Sequence, residues 1–191
     1  MSQSIIKHLQ DYLGAHIEKI NPNTQAIDPA TRHHRYDLLA QAAIPAVLTA
    51  FYKHSRSPSG AKDLAGDIGK SEPLDFLLKG RKAAVVTKIA AYSGVSEEQS
   101  EAAMDAVADE SIRFVRNKLG SNMNAENIQT YFASQRQDIL SHLPEDIRMG
   151  ELLDDNTLDD RTNKMAGPIS SVAQAISNLL SSPGTEDNDR R

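Results

Sequence analysis

The run from Leu38 to Phe51, LLAQAAIPAVLTAF, limits the fold more than any other part of the chain. Leu38, Leu39, Ala42, Ala43, Val47, Leu48 and Phe51 recur at the three- and four-residue spacing of one helical face. Alanine fills much of the opposite face, so this helix can be covered from several sides and belongs at the centre of a bundle. Pro45 falls inside the run, where it removes a backbone donor and crowds the preceding turn at about 3 kcal/mol. The apolar spacing stays in phase through Val47, Leu48 and Phe51, which predicts one kinked helix rather than two short ones.

Other helices flank it. Ile5, Ile6, Leu9, Tyr12, Leu13, Ile17 and Ile20 form an apolar stripe that predicts a helix from Ser4 to Lys19, stopped by Asn21-Pro22-Asn23. Asp28-Pro29 is a cap and first-turn pair, so the central helix is expected to begin near Asp28 or Thr31. Ser57-Pro58-Ser59-Gly60 breaks it, and Ala61 to Ile68 reads as a short returning helix. Glu72-Pro73 opens another short helix through Leu78. Further helices are predicted over Arg81–Tyr92 and Glu97–Leu119, the second with a Ser96/Gln99 capping box and a stop at Gly120. The last of this set, Asn124–Ser141, places Ile128, Tyr131, Phe132, Ile139 and Leu140 on one face. The fold class is therefore all-α, a multi-helix bundle.

The chain also carries a weak internal repeat. At constant offset Ala43-Ile44 lies over Ala106-Val107, Phe51 over Phe114 and Lys53 over Arg116, which divides the domain 1–153 into halves of about 1–80 and 81–153. A polar connecting segment, 154–167, follows. Residues 168–181 then read as a C-terminal amphipathic helix with Ile169, Val172, Ala173, Ile176, Leu179 and Leu180 on one face, and 182–191 as a disordered tail.

Four segments together resemble the YidB-like family of bacterial proteins, a domain of unknown function. They are the small-residue helix LLAQAAIPAVLTAF, the break SPSGAKDL, and the downstream stretches AAYSGVSEEQSEAAMDAV and YFASQRQDILSHLP. The similarity runs from Ile5 to Leu153 and rests on packing and turn patterns. It implies an all-helical bacterial domain with no assigned reaction, and so supplies no active-site residues.

The composition narrows the chemistry. With 39% hydrophobic but only 5% aromatic residues and no Trp, the core must pack through small side chains. The absence of Cys excludes disulfides, thiolate nucleophiles and Cys-ligated metal centres. No apolar run approaches the roughly 20 residues of a membrane span, and MSQSIIKHLQDYLG lacks the features of a secretory signal. A cytoplasmic protein without membrane insertion is expected. There is no Gly-x-Ser-x-Gly elbow, phosphate-cradling glycine loop or His-Glu-x-x-His. The chain reads as non-enzymatic, with no catalytic residue, cofactor or metal assigned. DDNTLDD has the carboxylate density of a calcium loop but Leu158 and Asp160 where a ligand and a glycine are required, so it reads as a cap-rich loop. Neither His33-His34 nor His8 with His16 has the spacing of a ligand pair.

Charge is distributed unevenly. Glu97, Glu98, Glu101, Asp105, Asp109 and Glu110 follow one another without an intervening Lys or Arg, while the N-terminal part is mildly basic. The segment VTKIAAYSGVSEEQSEAAM has the turn of a helix-turn-helix, but its second helix would present carboxylates to a polyanion, and Ser100 stands where an apolar packing residue is usual. The function expected is protein–protein interaction or assembly, with a protein partner that includes a second copy of the chain; a helix-turn-helix nucleic-acid-associated regulator is the disfavoured alternative. The candidate protein-binding residues are Glu97, Glu98, Glu101 and Asp105 on the acidic helix, and Ile169, Val172, Ile176, Leu179 and Leu180 on the terminal one.

Overall fold

A computed structural model describes residues 4–21, 34–66 and 72–159. These form eight α-helices and no strand: α1 (Ile5–Leu13), α2 (Arg35–Ser55), α3 (Pro58–Gly66), α4 (Pro73–Leu78), α5 (Lys82–Ser93), α6 (Glu97–Leu119), α7 (Ala125–His142) and α8 (Met149–Leu152). The central helix, expected to begin near Asp28 or Thr31, begins at Arg35, because His34 is extended (φ -79°, ψ 155°) and ends the helical backbone there; the expected C-terminal helix lies outside the described residues.

The central position expected for α2 follows from its alanines. Every residue from Leu39 to Phe51 is buried, and α1, α3, α4, α5, α6 and α7 all pack against this helix. Ala42, Ala43 and Ala46 are fully covered, so neighbouring backbones come close with no large side chain between them. The helix runs unbroken through Pro45, whose carbonyl accepts a 2.6 Å bond from Thr49 Oγ1. Phe51 stacks on Phe132 of α7 with ring centroids 5.5 Å apart. Among the described residues no helix is long and apolar enough to cross a membrane.

The first helix is shorter than its apolar stripe predicts. Gly14 adopts a left-handed backbone (φ 62°), and the Ala15 N–H turns back to the Gln10 carbonyl, which closes α1 at Leu13. Ala15 to Ile20 then form an irregular strap that still buries Ile17 and Ile20. Gln41 of α2 holds this strap: its Oε1 accepts from the Glu18 N–H at 2.8 Å, and its Nε2 donates to the Glu18 carbonyl at 3.0 Å. The same Nε2 also donates to the His142 carbonyl at 2.7 Å, tying strap, α2 and α7 together.

The capping expected at Ser96 is present, with reciprocal 3.2 Å bonds between Ser96 and Gln99. Ser100 is fully buried and donates to the Val86 carbonyl at 3.2 Å, so a serine satisfies a packing position through the backbone of α5. The units α2–α3 and α6–α7, each a long helix, a break and a second helix, pack onto one another around one core. Phe51 is buried there, while its aligned counterpart Phe114 is partly covered and stacks on His8.

The start of the polar connecting segment expected over 154–167 anchors itself to the bundle, together with Leu153 just before it. Leu153 and Leu158 are buried, Arg81 pairs with Asp154, and Arg56 pairs with Asp155. Asp159 accepts from the Gly150 and Glu151 N–H groups at 2.9 and 3.0 Å, capping α8 from downstream. Asp159→Ala is accordingly expected to cost about 1 kcal/mol, the usual value of a lost helix cap, which urea unfolding would measure.

Candidate functional site

The acidic helix is engaged within the fold along one flank. Glu97 accepts a 2.7 Å bond from Thr87 Oγ1, and Glu101 lies 2.7 Å from Lys82 Nζ, which also reaches Asp75 at 3.2 Å. Glu101 in particular holds the Lys82 ammonium well above the usual lysine range. Asp105 is half-buried, and burial pushes its carboxyl up while Lys82 opposes the shift. Glu110 bonds His8 Nε2 at 2.7 Å. Of the four acidic candidates, Glu98 is the exposed one for which no such partner is seen, whereas Glu101 reversal would break an internal ion pair. Ile169, Val172, Ile176, Leu179 and Leu180 lie outside the described residues.

The other flank of α6 is apolar. Gln99, Ala102 and Ala103 line a groove of about 540 Å³ with Leu13, Ala15, Tyr36 and Leu39. Tyr36 is 71% exposed, and Tyr12, which adjoins the groove-lining Leu13 in the chain, is 47% exposed; these are the exposed large hydrophobic side chains among the described residues. Sequence reasoning missed Tyr36, which sits in the polar run HHRYD where no periodicity marks it. The only signal was an aromatic side chain at the first turn of a central helix.

At the opposite end of α2 a second pocket, of about 500 Å³, opens between the end of α2, the start of α3, the end of α4 and the turn at Leu153. Lys53, His54, Asp63, Lys79 and Arg81 line its polar part. Lys53 donates to the Leu153 carbonyl, and Arg81 donates to the Leu152 carbonyl at 2.6 Å and pairs with Asp154. The His54 ring packs edge-on to Phe76, 4.8 Å between centroids. Burial, then Lys79, push the His54 imidazole below its ordinary value, against the pull of Asp63.

His142 is also buried, and desolvation lowers it despite a 2.7 Å contact between Nδ1 and the Asp138 carbonyl. Both imidazoles therefore bind protons more readily in the unfolded chain than in the folded one. Their contribution to stability is present above the unfolded value of 6.5 and is lost as pH falls below it towards the depressed folded values. The melting temperature is expected to fall between pH of about 7.5 and 5.5, and His54→Gln should flatten that slope in a calorimetric scan.

Among the described residues no three His, Asp or Glu side chains converge as a metal-binding group. α5 and α6 are joined by a short turn in which Gly94 is left-handed (φ 70°), and Glu97 and Glu98 are exposed at the start of α6. No protein-family model matches the sequence, and no curated protein or solved structure is detectably similar to it.

Proposed function

We propose that this all-α bundle is a non-enzymatic interaction module, an assembly or scaffold component that associates with further copies of itself. The observation that carries this reading is the apolar groove at Tyr36, with Tyr12 exposed beside its Leu13 wall. Exposed aromatic side chains beside a preformed apolar groove are the composition of an interface centre. The occupant we assign is the segment Ile169 to Leu180 of a second copy, whose Ile169, Val172, Ile176, Leu179 and Leu180 share one face at helical spacing.

Chain geometry supports a neighbouring copy over the same one. Asp155 is paired with Arg56 at one end of α2, and the groove lies by Tyr36 at the other. That separation is about 30 Å along the helix axis. Residues 159 to 169 reach at most about 35 Å when fully extended, so docking on the same chain needs a nearly straight connection. A second copy carries no such restriction.

The resemblance to the YidB-like family belongs to the same proposal and goes with a bacterial protein acting in the cytoplasm. Duplex nucleic acid is the less favoured partner, because Glu97 and Glu98 would face the phosphates. Tyr36→Ala is expected to weaken self-association at least about tenfold in sedimentation equilibrium, as truncating an interface aromatic does. Undiminished association in that variant would remove the groove from the interface.

A further inference from the structure

The pocket beside His54 is built differently from the groove, and its chemistry points to a small ligand. The His54 side chain is only 10% exposed, and its Nε2 has no hydrogen-bond partner. Asp63 Oδ2 stands 3.8 Å away, beyond bonding distance. A buried ring nitrogen left unpaired carries a desolvation penalty that a ligand atom would remove.

The surroundings select the sign of that ligand. Lys53 and Lys79 both add positive potential at the ring, and Asp63 is the carboxylate that opposes them. Arg81 and Asp154 also line the pocket but are paired with each other. The N-terminus of α3 opens on the same space through Ser57, Ser59 and Gly60, with Ser57 Oγ accepting the Gly60 N–H at 3.0 Å. A helix start carries partial positive charge; Pro58 has no N–H and Ser57 takes that of Gly60, which leaves the Ser59 N–H and the serine hydroxyls as the donors of this end. Ala50, Leu77, Leu78 and Leu153 supply an apolar wall against which a carbon skeleton can lie.

We propose that this pocket binds a small molecule carrying an oxyanion, phosphate or carboxylate, held by His54, Lys79 and the first turn of α3. His54 accepts a proton as the anion enters and donates from Nε2 to it. The site is separate from the tyrosine-flanked groove and does not depend on self-association.

The test is a nuclear magnetic resonance titration of the histidine ring signals in the full chain, with inorganic phosphate, acetate and sulfate as probes and chloride at matched ionic strength as control. The His54 signals are expected to move saturably with at least one oxyanion and not with chloride; phosphate against acetate then identifies the headgroup. Sulfate keeps its charge across the range, so its affinity should rise as pH falls below the ordinary imidazole value of 6.5, because the free ring is held under that value. Lys79→Gly should weaken binding at least about tenfold without disturbing the fold, because Lys79 occupies a left-handed position (φ 43°) that glycine prefers. His54 signals that respond equally to chloride, or an unaltered affinity in Lys79→Gly, would overturn the proposal.

Discussion

Replacing Gly60 with valine is expected to destabilise the bundle by about 3 kcal/mol, combining overpacking with the loss of a cap. A Cβ at this position would overlap the His54 carbonyl oxygen and lie 2.9 Å from Ser57 Oγ. The carbonyl belongs to the last turn of α2 and cannot rotate away, so α3 would have to shift. That shift strains the Ser57-to-Gly60 cap and lifts Ala61 and Leu64, both buried, off the core. The expected result in urea unfolding is a lowered midpoint with faster amide exchange in α3. Gly66 provides the control, since nothing lies within 4 Å of an added Cβ there. Gly66→Ala should be neutral or stabilising by up to about 1 kcal/mol. Equal losses at both positions would show that the close approach at Gly60 is not the cause.

Gln41→Leu is expected to cost a similar amount, about 3 kcal/mol, because buried groups lose their partners while the side-chain volume is roughly kept. Gln41 is 2% exposed and serves the Glu18 N–H, the Glu18 carbonyl and the His142 carbonyl at once. Leucine satisfies none of them. The strap from Ala15 to Ile20 should then detach, taking Ile17 and Ile20 from the core and exposing the Ile20 N–H that bonds the Ser141 carbonyl at 2.7 Å. Hydrogen exchange read at Ile20 distinguishes this from general loosening. Protection unchanged at Ile20 in a destabilised variant would mean that the strap is held by its isoleucines rather than by the amide.

These two residues also mark where sequence reasoning reached its limit. Features governed by local physics were legible: the central helix from its apolar spacing, the Ser96 cap, the Gly120 stop and the phenylalanine face of α7. Features governed by distant contacts were not. The stripe from Ile5 to Ile20 has helical spacing throughout, yet Gly14 can end the helix because Gln41 satisfies the backbone beyond it. The segment from Asp154 read as a polar, cap-rich connection, although Leu158 is buried and Arg56 and Arg81 receive its aspartates. The acidic run of α6 likewise looked like a free surface, and only the position of Lys82 reveals that Glu101 is engaged inside the fold.

The candidate sites followed the same division. Composition and the missing motifs pointed away from a recognised catalytic centre and towards an interaction protein. The groove at Tyr36 and the pocket at His54 are assembled from three or more segments distant in sequence, and neither has a local pattern. An isolated tyrosine among basic residues and one histidine near a helix end carry no periodicity by which to recognise them.

The most direct test of the assembly reading is the solution mass, measured by light scattering on the full chain and on a version ending at Lys164. An oligomer is expected for the full chain and a monomer for the shortened one, with Tyr36→Ala shifting the full chain towards monomer. A full chain that stays monomeric, or a shortened chain that assembles equally well, would contradict an assembly role for the segment Ile169 to Leu180.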